Sequence, residues 1–135
     1  MLIPTIHFQG NCDEAITFYK ETLGAEIIEI AYAKEAPADA GMDSLPPNFV
    51  MYSEIQLFGT TISMTDGAET AGGIENFSYI IMFDTADEVT TLFNKLAVGG
   101  NVIEPLAPQF FASLYGFVTD KFGVSWSIGT KDMAE

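Results

Sequence analysis

The chain has 135 residues, 48 % of them hydrophobic and 11 of them Phe, which is enough apolar material for one ordinary folded domain and excludes a disordered segment. Five Lys plus Arg against 19 Asp plus Glu give a formal charge of -14, so nucleic acid and anionic membrane are excluded as partners by repulsion, with no basic stripe to offset it. The acidity is read chiefly as solubility, with cationic ligands as the other reading.

No apolar run is long enough to cross a bilayer, and no basic segment precedes an apolar one between Met1 and Gln9. The single Cys12 offers no intrachain disulfide, so a cytoplasmic location is expected.

Leu2 to Gln9 reads as a first strand, with Ile6 and Phe8 on one side and Thr5, His7 and Gln9 on the other. Asn11 with Glu14 has the spacing of a capping box, and Ala15, Phe18, Tyr19, Thr22 and Leu23 form a stripe at helical spacing. Gly24 is placed to end that helix, and Ala25 to Tyr32 returns as a strand rich in isoleucine. Residues 33–48 contain Pro37, Gly41 and Pro46-Pro47 and read as a long loop with at most a short helical turn, either a lid or a decoration. Phe49 to Phe58 and Thr60 to Thr65 form a hairpin around Phe58-Gly59, and Asp66 to Glu75 reads as a linker.

The pattern then repeats. Phe77 to Asp84 is a strand, Thr85 and Glu88 repeat the capping box, and Val89, Leu92, Phe93 and Leu96 repeat the helical stripe ahead of Gly99-Gly100. Asn101 to Glu104 reads as a short strand, Pro105 to Phe111 as a loop, and Tyr115 to Thr119 with Val124 to Ile128 as a last hairpin. The expected fold is α+β, a single domain over residues 1–135 built of βαβββ modules at 1–66 and 76–130. Together they are expected to make a curved eight-stranded mixed sheet with its helices outside and a concave face for a small molecule.

The order βαβββ twice, Gly10-Asn11-Cys12-Asp13-Glu14-Ala15 leading into Phe18-Tyr19-Lys20, and the segment from Tyr115 through Lys121-Phe122-Gly123 to Trp126 resemble the vicinal-oxygen-chelate superfamily. That superfamily includes glyoxalase I, bleomycin and fosfomycin resistance proteins and extradiol dioxygenases. The match is to its PhnB-like branch, some members of which are called 3-demethylubiquinone-9 3-methyltransferase-like. The resemblance implies a homodimer and a small-molecule ligand. It also puts the superfamily's metal-ligand positions at Pro4 or Thr5, Ser63, Ser78 and Ser127, none of which is a good donor to a divalent cation. The cofactor is left open, with a divalent metal still possible. The chain carries no glycine-rich nucleotide-binding spacing, which speaks against the methyltransferase name.

His7, the only histidine, shares a face with Thr5 and Gln9. It is either a structural histidine or a base, an anion binder or a metal ligand. Glu54 shares a face with Val50, Tyr52 and Gln56, and is either a general base or carboxylate ligand, or simply a paired side chain. Gln109, Phe111 and Tyr115, beside Phe110, are read as pocket residues that could stack on a flat substrate, or as core. Tyr52, Ser63, Ser78 and Ser127 complete the ligand-binding candidates. Trp126 is expected behind the sheet, and Met51, Met64 and Met82 are read as core filler. Cys12 lies where a helix dipole lowers a thiol's pKa, but nothing nearby in sequence would make it catalytic.

Two functions follow. The first is a small-molecule binding protein of the glyoxalase/bleomycin resistance type that works without metal chemistry. The alternative is a lyase, isomerase or dioxygenase-like enzyme using Glu54 and His7, with or without a divalent metal.

Overall fold

Among the described residues eight strands and two α-helices follow one another as βαβββ, twice: β1 Thr5–Phe8, α1 Cys12–Leu23, β2 Glu26–Tyr32, β3 Val50–Leu57, β4 Thr60–Asp66, then β5 Tyr79–Phe83, α2 Ala86–Ala97, β6 Asn101–Gln109, β7 Ala112–Thr119 and β8 Ser125–Thr130. The computed structural model describes residues 1–37, 41, 44–67 and 77–131. The chain divides into two units, Met1–Ala71 and Gly72–Glu135. Each holds one four-stranded mixed sheet, in the orders β1-β4-β3-β2 and β5-β8-β7-β6. The first and last strands of each unit pair in parallel, and the other pairs are antiparallel.

One face of each sheet is covered by its helix. In the first unit Ile6, Phe8, Ile55, Leu57, Ile62 and Met64 are buried with Ala15, Ile16, Tyr19 and Leu23 of α1. In the second, Ile81, Val118, Trp126 and Ile128 are buried with Val89, Leu92, Phe93 and Leu96 of α2. Trp126 lies on this helix side, as expected, and stacks on Tyr79 at 5.2 Å. Gly116 lets α2 come close, because a Cβ there would stand 2.7 Å from the Phe93 ring.

The two helix starts are built differently. Thr85 caps α2 as its spacing predicts, its hydroxyl accepting from the Glu88 N–H at 3.2 Å. The capping box expected at Asn11 does not form, since the Asn11 side chain makes no cap bond. Asp66, expected in a linker, is instead the buried last residue of β4. Its Oδ1 accepts from the N–H groups of Gly10 at 2.8 Å and Cys12 at 3.0 Å, and its Oδ2 from Val50 at 3.0 Å. A carboxylate from another strand thus does what a local side chain does in the second copy.

Three further expectations are revised. Pro105 and Pro108 do not end the strand at Glu104. β6 runs on to Gln109 as an edge strand with register shifts, where a missing N–H faces no neighbour. β1 and β5 are shorter than their apolar runs. Met82 is 40 % exposed on the face away from α2, so it is not core filler, whereas Met64 is fully buried.

The hairpin at Phe58-Gly59 turns with both residues at positive φ, 50° and 81°, the geometry that matches strand twist. Gly24 ends α1 at φ 69°, and the Ala25 N–H returns to the Tyr19 carbonyl. Of the loop read as a lid, a short 3-10 turn at Ala33–Glu35 is described, while residues 38–40 and 42–43 lie outside the described residues, as do 68–76 of the linker.

Candidate ligand-binding faces

Helix cover on one side leaves the opposite face of each sheet as the place where functional side chains can gather. Strand register sets which residues share that face. In the first unit Thr5 pairs with Ser63 and His7 with Thr65 across β1 and β4. The β3–β4 ladder has Ile55 opposite Ile62. Continuing that count, which the Ser53 to Met64 hydrogen bond supports, sets Glu54 level with Ser63 and Tyr52 level with Thr65. Glu29 and Ala31 of β2 stand opposite Glu54 and Tyr52. Two rows result: Thr5, Ser63, Glu54, Glu29, and His7, Thr65, Tyr52, Ala31.

In the second unit Ile80 pairs with Ser127, and Ser127 with Phe117, which stands opposite Glu104. Met82 pairs with Gly129, and Gly129 with Tyr115, which stands opposite Ala107. The rows here are Ile80, Ser127, Phe117, Glu104, and Met82, Gly129, Tyr115, Ala107. Ser63 therefore corresponds to Ser127, Tyr52 to Tyr115, Glu29 to Glu104 and Ala31 to Ala107. Thr5, Glu54, His7 and Thr65 are replaced by Ile80, Phe117, Met82 and Gly129.

His7 contacts Thr65 through Nδ1 at 3.0 Å. Glu54 is half-buried beside Tyr52, whose phenol is held above its ordinary value by desolvation first and then by the Glu54 carboxylate. Gln56 donates to Thr61 on the same face. β4 runs between His7 and Glu54, so two strand spacings and a two-residue offset put their Cα atoms on the order of 12 Å apart. They are not joined as a direct acid–base pair.

In the second sheet the Tyr115 hydroxyl donates to Ser127 Oγ at 3.0 Å, and Phe111 packs edge-on against Tyr115 at 5.0 Å. Gln109 stands opposite Ala112 at the hairpin end and outside this cluster by register, and Ser78 lies exposed just before β5. Sequence reasoning missed Gly129, Ile80, Met82 and Phe117. Their shared parity with Ser127 and Tyr115 was legible, but not the pairing that aligned them.

The donor set at the superfamily's metal positions is Thr5, Ser63 and Ser127, with Ile80 in the place that register makes equivalent to Thr5. Hydroxyls and an alkyl chain do not fit a divalent cation. Among the described residues no group of three His, Cys, Asp or Glu side chains converges as a metal site. Cys12 is fully buried, and burial, followed by the charges of Asp66 and Asp13, pushes its thiol well up instead of down. It is an inert core residue.

The profile of the family described as 3-demethylubiquinone-9 3-methyltransferase matches residues 1–129. The chain belongs to this family, the PhnB-like branch of the vicinal-oxygen-chelate superfamily. Protein YjdN of Escherichia coli strain K12 is 31 % identical over 137 residues, covering 94 % of this chain and 92 % of that protein. Among solved structures, PA1353 from Pseudomonas aeruginosa matches with a TM-score of 0.82 at 30 % identity, covering 96 % of each chain. A putative 3-demethylubiquinone-9 3-methyltransferase, PhnB protein, from Bacillus cereus matches with a TM-score of 0.79 at 25 % identity, covering 96 % of this chain and 98 % of the other. Among the described residues no helix is long and apolar enough to cross a membrane.

Proposed function

We propose that this PhnB-like protein binds a small molecule on the helix-free faces of its sheets, sequestering or sensing it without metal chemistry, in the manner of the glyoxalase/bleomycin resistance group. The observation that carries this reading is the side-chain set on those faces. Hydroxyls and an alkyl chain stand where metal donors would be needed, and the hydroxyl, imidazole and aromatic groups on these faces suit hydrogen bonding and stacking of a ligand. The alternative, an enzyme using Glu54 and His7 as one catalytic pair, is less well supported, because each has a local partner and a strand runs between them. The sequence holds no glycine-rich nucleotide-binding spacing, so methyl transfer is not part of the proposal.

We also propose a cytoplasmic homodimer, on the strength of the family and the acidic composition with one buried thiol. Amide chemical shifts recorded during titration with a panel of small metabolites test the binding role. Saturable shifts confined to residues such as His7, Thr65, Tyr115 and Ser127 are expected. Shifts spread evenly over the helices, or stoichiometric tightly held metal in the purified protein, would remove it. Sedimentation tests the dimer.

A further inference from the structure

The irregularity in β2 decides which way its carboxylates point. Glu26 and Glu29 are three residues apart, an odd spacing that sends them to opposite faces of a regular strand. The register shift between Ile27 and Glu29 undoes this: Glu26 stands opposite Gln56, and Glu29 opposite Glu54. Both therefore lie with Glu54 on the helix-free face of the first sheet.

These three carboxylates have no lysine to neutralise them. The first unit holds two lysines, Lys20 and Lys34. Lys20 is on α1, which packs on the other side of the sheet, and Lys34 lies over the Tyr32 ring at 5.1 Å. His7, the remaining basic side chain of this face, contacts Thr65 and is two strands away from Glu54. Glu29 and Glu54 are directly opposed across β2 and β3, where like charges destabilise a sheet. Glu26 and Glu29 are exposed and Glu54 is half-buried, so a solute reaches them from water with no cavity to open.

An independent feature of the same row is a hydroxyl. Ser63 stands level with Glu54 and points away from α1, since its neighbours Ile62 and Met64 are buried on the helix side. It is 3 % exposed, and its hydroxyl makes no hydrogen bond among the described residues. Hydroxyls so deeply placed ordinarily have a partner. On the adjoining row Gln56 gives an amide N–H to Thr61 and keeps a carbonyl oxygen, which can only accept. The surface around Glu54 is rich in acceptors and short of donors.

We infer that this face binds the primary ammonium group of a small organic amine, bridged by Glu29 and Glu54 and hydrogen-bonded to Ser63 Oγ. The inference rests on the ligand-binding reading above and names its ligand class. Three N–H donors on one positive nitrogen match two carboxylates and a hydroxyl oxygen. A divalent cation matches them poorly, because no third acidic or imidazole ligand converges among the described residues.

The probe is phenethylamine, titrated into the full chain at low salt and followed by amide chemical shifts. It is set against its N-trimethyl analogue, which keeps the charge without an N–H, and against 2-phenylethanol and 3-phenylpropionate. Saturable shifts on β2, β3 and Ser63 are expected with phenethylamine, weakening as salt is raised. Glu54→Gln should weaken binding roughly fivefold, and Ser63→Ala about threefold. Ser63→Ala should leave the trimethyl analogue unaffected. Glu21→Gln, which removes the same charge from the exposed side of α1, should change nothing. Glu54→Gln should unfold no earlier than the parent, since it relieves the opposed charges, so weaker binding is not lost folding. Equal weakening by Glu21→Gln and Glu54→Gln would reduce the effect to net charge and overturn the inference. A trimethyl analogue that binds as tightly as phenethylamine overturns it too, as does the absence of saturable phenethylamine shifts on this face. In that last case, sheet-face shifts with the alcohol or the propionate leave the binding role standing and remove only the ligand class. No sheet-face shifts with any of the four probes would remove both.

Discussion

The two copies of the βαβββ unit keep their scaffold and change their surface. Row by row, the helix-free face of the first sheet reads Thr5, Ser63, Glu54, Glu29 and His7, Thr65, Tyr52, Ala31, and that of the second reads Ile80, Ser127, Phe117, Glu104 and Met82, Gly129, Tyr115, Ala107. One face is polar and acidic, with hydroxyls already paired to imidazole and amide. The other is largely apolar, with its hydroxyls Tyr115 and Ser127 bonded to each other. Side-chain identity on such a face is free to drift because the fold's energy lies on the opposite side, against the helix. Duplication has therefore produced two chemically distinct surfaces on one architecture.

The same contrast holds at the helix starts, and it gives the largest expected effect. Asp66→Ala removes a buried carboxylate that accepts three backbone N–H bonds, and should cost about 3 kcal/mol or more in denaturant unfolding. Thr130, its counterpart in the second unit, is an uncharged hydroxyl that accepts from the Leu114 N–H, so Thr130→Ala should cost about 1 kcal/mol. Equal losses would show that the two ends of the repeat are stabilised alike.

Next in size is the cap itself. Thr85→Ala should cost ~1 kcal/mol, because its hydroxyl holds the Glu88 N–H. Asn11→Ala should stay within ~0.5 kcal/mol, because its side chain holds nothing at the α1 start. A large Asn11 effect would restore the capping box expected from sequence and reduce the role given to Asp66.

Smaller still is an alkaline effect confined to the first unit. Tyr32 donates to Asp13 at 2.5 Å, and that bond, ahead of desolvation and nearby charge, pushes its phenol up to about 12 from 10.0. A folded value above the unfolded one means the contribution is complete below pH 10 and is lost as pH rises through about 12. The group is near the surface, so screening keeps the effect below about 1 kcal/mol. Tyr32→Phe should flatten that part of the stability profile. Finally, Cys12 should react with a thiol reagent only as fast as the protein unfolds, and rapid labelling of the native chain would contradict its burial.

Much of this architecture was legible before any coordinates. Two helical stripes at matching intervals, the Phe58-Gly59 turn and the alternation of Ile6 and Phe8 against Thr5 and His7 are local patterns, and local patterns survive in one dimension. Thr85 could be identified as a cap for the same reason, its partner being three residues away. Asp66 could not, because the N–H groups it serves are 54 and 56 residues earlier and 16 residues earlier in the chain. Pro105 and Pro108 signal a loop in the sequence, and only the place of β6 at the sheet edge makes them harmless.

Composition and periodicity by themselves determined the repeat, the acidic and single-thiol character, and the side of each strand that is apolar. Those properties depend on neighbours within one turn of helix or two residues of strand. Tertiary structure alone decided that His7 meets Thr65, that β4 divides His7 from Glu54, and that Tyr115 reaches Ser127. Those facts are set by register between strands far apart in the chain, where a shift of one residue would turn every side chain to the other face.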